Sequence, residues 1–244
     1  MESLIDNILA TYSYSTLFVL SFGYFLFLYF GIGSLFLFLC KSIERLHLLK
    51  KIKENEVKKS QIAFEIKHSF KSIVIFGFSI FPIIYLVRVG VIELLPNTVT
   101  NIIIGLVILT LWNEVHFYIV HRIMHQKFMM KYVHYIHHKS TVPSVYSVYS
   151  FHWFEALLLS TVPLTIVPFM PFSIVAIFIY PLISILLNFA GHCNYRFGDG
   201  IGKSWLLFGT HHNEHHSRGR KNYGFALNIL DKLFSKHNRW TKYI

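Results

Sequence analysis

Charged side chains are scarce in this sequence. Asp, Glu, Lys and Arg together make up 14% of the 244 residues, whereas hydrophobic residues make up 54%, and the mean hydropathy is +0.48. A soluble globular domain carries about 25% charged residues. The composition therefore excludes an ordinary soluble domain and predicts an integral membrane protein.

Acidic residues and cysteines are the rarest groups that carry chemistry. The chain has 12 Asp and Glu against 23 Lys and Arg, so its net charge is +11. Nucleic acid or an anionic membrane surface would attract this charge, and the long apolar runs favour the membrane and exclude nucleic acid as the partner. The two cysteines, Cys40 and Cys193, stand far apart and outside any ligand spacing, which disfavours a disulfide framework and a thiolate metal site.

Apolar runs divide the chain into candidate membrane segments. Residues 17–40, 72–95 and 101–120 are each long enough to cross about 30 Å of hydrocarbon as a helix. Residues 154–191 form two apolar runs joined by Met170-Pro171, which predicts a helical hairpin that returns to the side it left, or a pair of short or tilted spans. The predicted fold is all-α: one integral membrane helical bundle over residues 1–244, with three spans plus a helical hairpin.

Basic residues predict the orientation of the bundle. Residues 41–71 contain nine Lys and Arg against four Glu, and loops of this kind remain in the cytoplasm. Following the chain through the spans and the hairpin places residues 121–152 and 192–244 on that same side, together with every Lys and Arg except Arg88. We therefore expect a multi-pass membrane protein whose polar segments meet at the cytoplasmic face.

Histidines are concentrated in these polar segments. His121-x-x-x-His125 and His134-x-x-His137-His138 are followed much later by His212-x-x-His215-His216. Because residues three or four apart share one face of a helix, each pattern should direct its imidazoles at one shared place. Neutral imidazole is the commonest metal ligand, and a closed zinc site takes four ligands. Eight imidazoles therefore predict two metal ions.

Other histidines are assigned by their position. His192 and His152 stand at the two ends of the predicted hairpin, at the same membrane surface as the boxes. We predict His192 as a ninth ligand and leave His152 and His211 open. Structural roles are expected for the remaining histidines, which lie off the shared face or in basic segments: His47, His68, His116 and His237.

The metal is chosen by the chemistry that a membrane site would perform. Imidazole suits zinc, copper, iron and nickel. A site open to the lipid would meet acyl chains or sterols, whose C–H bonds require activated oxygen, and zinc has no redox chemistry. We therefore predict two iron ions, which zinc could replace in purified protein.

The histidine boxes resemble those of the fatty acid hydroxylase/sterol desaturase superfamily of membrane non-haem di-iron oxygenases. The similarity runs from about Leu111 to Phe234. Beyond the boxes it includes Tyr118, the Ser150–Glu155 stretch, Gly191-His192, Asn222-Tyr223-Gly224 and Asp231-Lys232-Leu233-Phe234. The sequence departs from the family pattern at Glu114, Trp153, Leu230 and Ser235, where the family often has Asp, Pro, Trp and Gly.

This resemblance implies a role for each matched residue. Two irons would be held by His121, His125, His134, His137, His138, His192, His212, His215 and His216. The ligand imidazoles would be hydrogen-bonded by Glu114, Tyr118, Glu155 and Asp231. The implied reaction is O2-dependent hydroxylation or desaturation of a fatty acyl or sterol-like lipid. Because no cytochrome-like or flavin segment is recognisable, we expect a separate electron-donor protein.

Two alternatives lie outside this class. His211-x-x-Glu214-His215 matches a metalloprotease spacing, in which Glu214 would be the general base of a zinc-dependent membrane hydrolase. That interpretation leaves the 134–138 box without a role. The second alternative is a membrane protein that binds metal or lipid without turnover.

Overall fold

The computed structural model describes residues 11–197, 208–219 and 221–235. Their regular structure is helical except for four two-residue strands, which confirms the all-α prediction. Four helices among these residues are long and apolar enough to cross a membrane. They are α1 (Tyr14–Arg45), the α2–α3 pair (Lys59–Arg88), α4 (Val99–Met124) and α7 (Ile174–His192).

The second of these helices is broken near its middle. It consists of α2 (Lys59–Phe78) and α3 (Ile80–Arg88), which meet at Ser79. The sequence predicts a kink at Pro82. A proline ring clashes with the carbonyl four residues earlier, here that of Phe78. The break therefore lies one turn before the proline that causes it.

The predicted hairpin at 154–191 has unequal arms. Its first arm is α6 (Trp153–Ser160), whose eight residues span about 12 Å. Two 3-10 turns, Pro163–Thr165 and Val167–Phe169, continue the chain. The second arm, α7, is long enough to cross by itself. The four candidate spans among the described residues are therefore the three predicted spans and the second arm of the hairpin, and the first arm is a short helix followed by a broken segment.

Short strands mark the two ends of the bundle. At one end, β2 (Leu94–Leu95) pairs in parallel with β3 (Phe172–Ser173) immediately before α4 and α7 begin. At the other end, β1 (Lys50–Lys51) pairs antiparallel with β4 (Tyr195–Arg196). Helices α4 and α7 therefore run in the same direction and end together.

The segments that carry the boxes lie at this second end. The chain after α4 forms α5, a short run made of Lys127–Met129, a π-helical turn over Met130–His134, and Tyr135–His138. Later it forms α8 (Phe208–Arg218) and α9 (Ile229–Ser235).

Helices α4 and α7 approach each other closely at Gly105. A Cβ atom added at Gly105 would lie 2.8 Å from the Cβ of Ala176. Lipid tails are as apolar as the helix surfaces, so close packing between small residues is a main source of helix association in membranes. This contact fixes the two helices whose ends carry His121 and His192.

Gly105→Ala should separate α4 from α7 and destabilise the protein. Overpacking at a rigid contact costs about 1–3 kcal/mol, so we expect a lower thermal unfolding midpoint for the purified protein in detergent. Gly23→Ala is the matched control, because a Cβ at Gly23 meets nothing within 4 Å. Equal midpoints for both variants would contradict the close contact.

Candidate metal centre

Nine histidines gather at the end of the bundle in two groups. The five-histidine group comprises His121, His125, His134, His138 and His215, and the four-histidine group comprises His137, His192, His212 and His216. Within each group, one ring nitrogen of every histidine lies within 4.8 Å of the others. These are the nine histidines that the sequence nominates as ligands.

Each HxxHH box divides its imidazoles between the two groups. His134 and His138 join the five-histidine group, whereas His137 joins the other. An α-helix turns about 100° per residue, so positions i and i+4 nearly align while i+3 points away from i+4 by that angle. The expectation that a whole box points at one place was therefore wrong in detail.

The second box makes the reciprocal exchange. His212 and His216 belong to the four-histidine group, and His215 reaches the five-histidine group. Each group therefore takes an i, i+4 pair from one box and the single i+3 histidine from the other box. Both boxes are needed to complete either group.

The spacing of the ring nitrogens suits a metal ion. Ligand nitrogens about 2.0–2.1 Å from one ion are separated by about 2.9–3.4 Å in tetrahedral or octahedral geometry. The Nε2–Nε2 distances are 3.0 Å for His125–His215, 2.9 Å for His192–His212, 3.1 Å for His212–His216 and 3.4 Å for His137–His192.

Several ring nitrogens are buried without a protein partner. Among the described residues, the Nε2 atoms of His121, His134 and His138 accept or donate no hydrogen bond, although all three belong to the five-histidine group. An unsatisfied buried polar atom costs about 1–3 kcal/mol. A cation in the group would bind these three lone pairs at once, so the residues present fit a metal ion.

Burial keeps the imidazoles outside the spans neutral. Desolvation, reinforced by the neighbouring imidazoles, lowers the pKa of His138 to about 3. The same causes lower the pKa values of His125, His137, His212, His215 and His216. Neutral imidazole is the form that binds metal, and the group therefore needs no deprotonation at pH 7.

Hydrogen bonds at Nδ1 orient four of the rings. Each of these nitrogens faces an acceptor oxygen and must donate, which leaves the Nε2 lone pair for a metal. The bonds are His134 to Glu155 Oε1 at 2.7 Å, His121 to the Tyr223 carbonyl at 2.9 Å, His215 to the Lys221 carbonyl at 2.7 Å, and His192 to the Asn188 carbonyl at 3.0 Å.

Four residues were predicted to hydrogen-bond ligand imidazoles: Glu114, Tyr118, Glu155 and Asp231. Of these, Glu155 makes such a bond, to His134. Glu114 instead accepts from the backbone N–H of Ala226 at 2.9 Å, and Asp231 accepts from those of Tyr223 at 3.0 Å and Gly224 at 2.8 Å. Both carboxylates therefore hold the 223–226 turn, whose Tyr223 carbonyl orients His121.

Tyr118 has a different contact from the one expected. Its hydroxyl accepts from Arg122 Nη1 at 3.3 Å, and its ring stacks on Phe234 with centroids 5.9 Å apart. The sequence did not predict the backbone carbonyls that orient histidines, because every residue type carries the same carbonyl group.

The remaining histidines lie outside both groups. His152 caps α6, its Nδ1 accepting from the Phe154 N–H at 3.2 Å, and His211 belongs to neither group. His116 contacts Thr161 Oγ1 at 3.1 Å, and His237 lies outside the described residues.

The hydrolase spacing does not assemble. His211 is in neither group, and the Glu214 carboxylate is 3.0 Å from Lys221 Nζ and accepts from Asn222 at 3.3 Å. Glu214, the general base in the hydrolase hypothesis, is therefore paired with the Lys221 ammonium group.

A cavity adjoins both groups from within the bundle. It has a volume of about 100 Å³ and is lined mainly by aromatic and small side chains. Two lining residues contact ligands: Phe117 packs against His121 and Phe151 against His137, each pair with ring centroids 4.9 Å apart.

A helical bundle with four candidate spans and two adjoining all-histidine groups is a membrane protein with a histidine-ligated metal centre. Residues 106–236 match the family model described as fatty acid hydroxylase, and this match covers more than half of the chain. The chain belongs to the fatty acid hydroxylase family, which confirms the resemblance seen in its boxes. No curated protein and no solved structure matches the chain.

His134→Ala and His212→Ala should each remove a different ion. We expect the purified variants to bind about one Fe(II) per chain instead of two under anaerobic conditions, because each variant removes a ligand from one group only. His211→Ala and His152→Ala are controls that should bind two. Full loading of both ligand variants, measured by elemental analysis, would contradict the assignment.

Glu155→Gln should weaken iron binding while keeping the hydrogen bond. Glutamine retains an oxygen that accepts from His134 Nδ1 but removes the negative charge behind the ligand. We expect about a 10-fold loss of Fe(II) affinity, and a loss approaching about 100-fold in Glu155→Ala. Glu93→Gln, at an exposed position before β2, is the control. Unchanged affinity in both Glu155 variants would exclude this positioning role.

Proposed function

We propose that this protein is a membrane-bound di-iron oxygenase that hydroxylates or desaturates a C–H bond of a lipid, fatty acyl or sterol-like, with O2 and electrons from a separate donor protein. The observation that carries this proposal is that one largely apolar cavity is lined by Phe117 and Phe151, each of which packs against a histidine of a different group. The family to which the chain belongs supports oxidation of lipid as the class of reaction.

The ligand set fits iron in a role that requires open coordination. Nine imidazoles supply nitrogen donors, a donor type that suits iron, and no carboxylate belongs to either group. The chemistry supplied by a bound iron pair is the activation of O2 for attack on an unreactive C–H bond. Glu155 holds His134 in the tautomer that binds, and the Tyr223 carbonyl does the same for His121.

The cavity would place hydrocarbon beside the centre. Phe117 and Phe151 form the boundary between its apolar interior and the two groups. A lipid lying against these rings would present a carbon to the centre and exclude water from it. Exclusion of water protects a reactive oxidant from side reactions.

We place the centre on the cytoplasmic side of the membrane. The end of the bundle that carries it also carries Lys50, Lys51 and Lys53, whereas Arg88 lies at the opposite end, where its Nη2 donates to the Tyr12 carbonyl at 2.6 Å. The distribution of basic residues decides orientation. A soluble or membrane-anchored electron donor would then reach the centre from the cytoplasm.

His137→Ala should abolish lipid oxidation without unfolding the protein. We expect activity to fall by at least about 100-fold, which exceeds the usual effect of removing a residue that only hydrogen-bonds a metal ligand. Cells that lack the protein should accumulate one lipid and lose its product, which differs by one added oxygen or two fewer hydrogens. Lipid profiling by mass spectrometry measures both.

His47→Ala is the matched control, because His47 lies in the turn after α1 and outside both groups. Its lipid profile should equal that of the wild type. Wild-type activity in His137→Ala, or two zinc ions and no O2 consumption in the iron-supplied wild type, would refute the proposal.

A further inference from the structure

Polar side chains interrupt the apolar wall of the cavity next to the metal centre. Most of them are satisfied within the protein. The Ser79 and Ser160 hydroxyls donate to the carbonyls of Phe76 and Leu157, both at 2.7 Å. These groups therefore have no need of a ligand.

Asn113 is the exception. Its side chain lines the cavity and only 5% of the residue is exposed, yet its Nδ2 atom has no hydrogen-bond partner within the described parts of the chain. Asn188, which lines the same cavity, donates from Nδ2 to the Val148 carbonyl at 3.2 Å. Buried polar groups are normally hydrogen-bonded, so a buried amide N–H without a protein partner is available to donate to a bound ligand.

The position of Asn113 relates it to the centre. Asn113, Phe117 and His121 follow one another at intervals of four along α4, and Phe117 contacts both the cavity and the His121 ring. Eight residues of helix correspond to about 12 Å. A lipid that lies along this stripe and reaches the centre would pass Asn113 at roughly that distance.

We propose that the substrate carries a hydroxyl or carbonyl oxygen, and that Asn113 Nδ2 donates a hydrogen bond to this oxygen deep in the cavity. The inference rests on the proposed function in taking the cavity as the substrate site. A plain hydrocarbon tail in the cavity would offer the buried amide no hydrogen-bond acceptor. Asn113 would thus select an oxygen-bearing lipid over an alkyl chain.

The test compares matched lipids that differ by one hydroxyl. Purified full-length protein in detergent is titrated with octadecan-1-ol or octadecane, and with cholestanol or cholestane, and apparent affinities are taken from the shift of the unfolding midpoint. For wild type we expect at least one alcohol to bind about fivefold more tightly than its hydrocarbon, the effect of one hydrogen bond. In Asn113→Leu this ratio should fall to about one.

A second measurement separates recognition from a structural role. Without lipid, Asn113→Leu should unfold at a higher temperature than wild type, because the variant removes an unpaired buried amide. A structural asparagine would give the opposite shift. Ser160→Ala is the control, since its hydroxyl is already bonded, and it should keep the alcohol preference.

Three outcomes would overturn the proposal: no preference for either alcohol in wild type, a preference that survives Asn113→Leu, or a lower unfolding midpoint for that variant without lipid. These measurements involve binding and no turnover. They can therefore fail while lipid oxidation is present, or succeed in a protein that does not oxidise lipid, which keeps this inference distinct from the proposed function.

Discussion

Burial of neutral imidazoles at the end of an apolar bundle is the constraint on which the rest of this structure depends. Nine rings share the site, and desolvation lowers the pKa values of His137 and His212 among them, which disfavours their protonated forms. The positive charge of bound metal would then be balanced from outside the ligand set. Glu155 contacts His134 directly. Glu114 and Asp231 are separated from the histidines by the 223–226 turn, whose backbone N–H groups they accept from. All three carboxylates lie outside both histidine groups.

The reciprocal division of the two HxxHH boxes explains why the centre is a pair. In each box the i, i+4 histidines serve one group and the i+3 histidine serves the other. Because this follows from the helical angle per residue, two such helices brought face to face produce two adjoining sites. The close contact of α4 with α7 at Gly105 brings His121 and His192 to the same level. Neither group can therefore form without the whole fold.

Composition and spacing predicted the helices and eight of the nine grouped histidines, because both depend on local periodicity, and His192 was predicted from its position at the end of the hairpin. The division of each box was missed, since it depends on where the second helix docks. Glu114 and Asp231 were predicted to hydrogen-bond ligand imidazoles. They bind backbone N–H groups of the 223–226 turn instead, because this turn lies between them and the histidines. The broken segment after α6 gave only the weak signal of a short apolar run containing Pro163 and Pro168. Features that require tertiary contact were thus beyond sequence reasoning.

The broken segment accounts for the cavity. Irregular backbone at membrane depth must find its hydrogen bonds inside the protein. Thr161 and Thr165 donate to the carbonyls of Leu158 and Val162 at 2.8 and 2.9 Å, and their hydroxyls in turn contact His116 and Trp112 of α4. These side-chain contacts connect the broken segment to α4. Val162 and Pro163 of the same segment line the cavity. Because a continuous helix would pack against α4 along its full length, the interruption leaves the cavity open between this segment and α4.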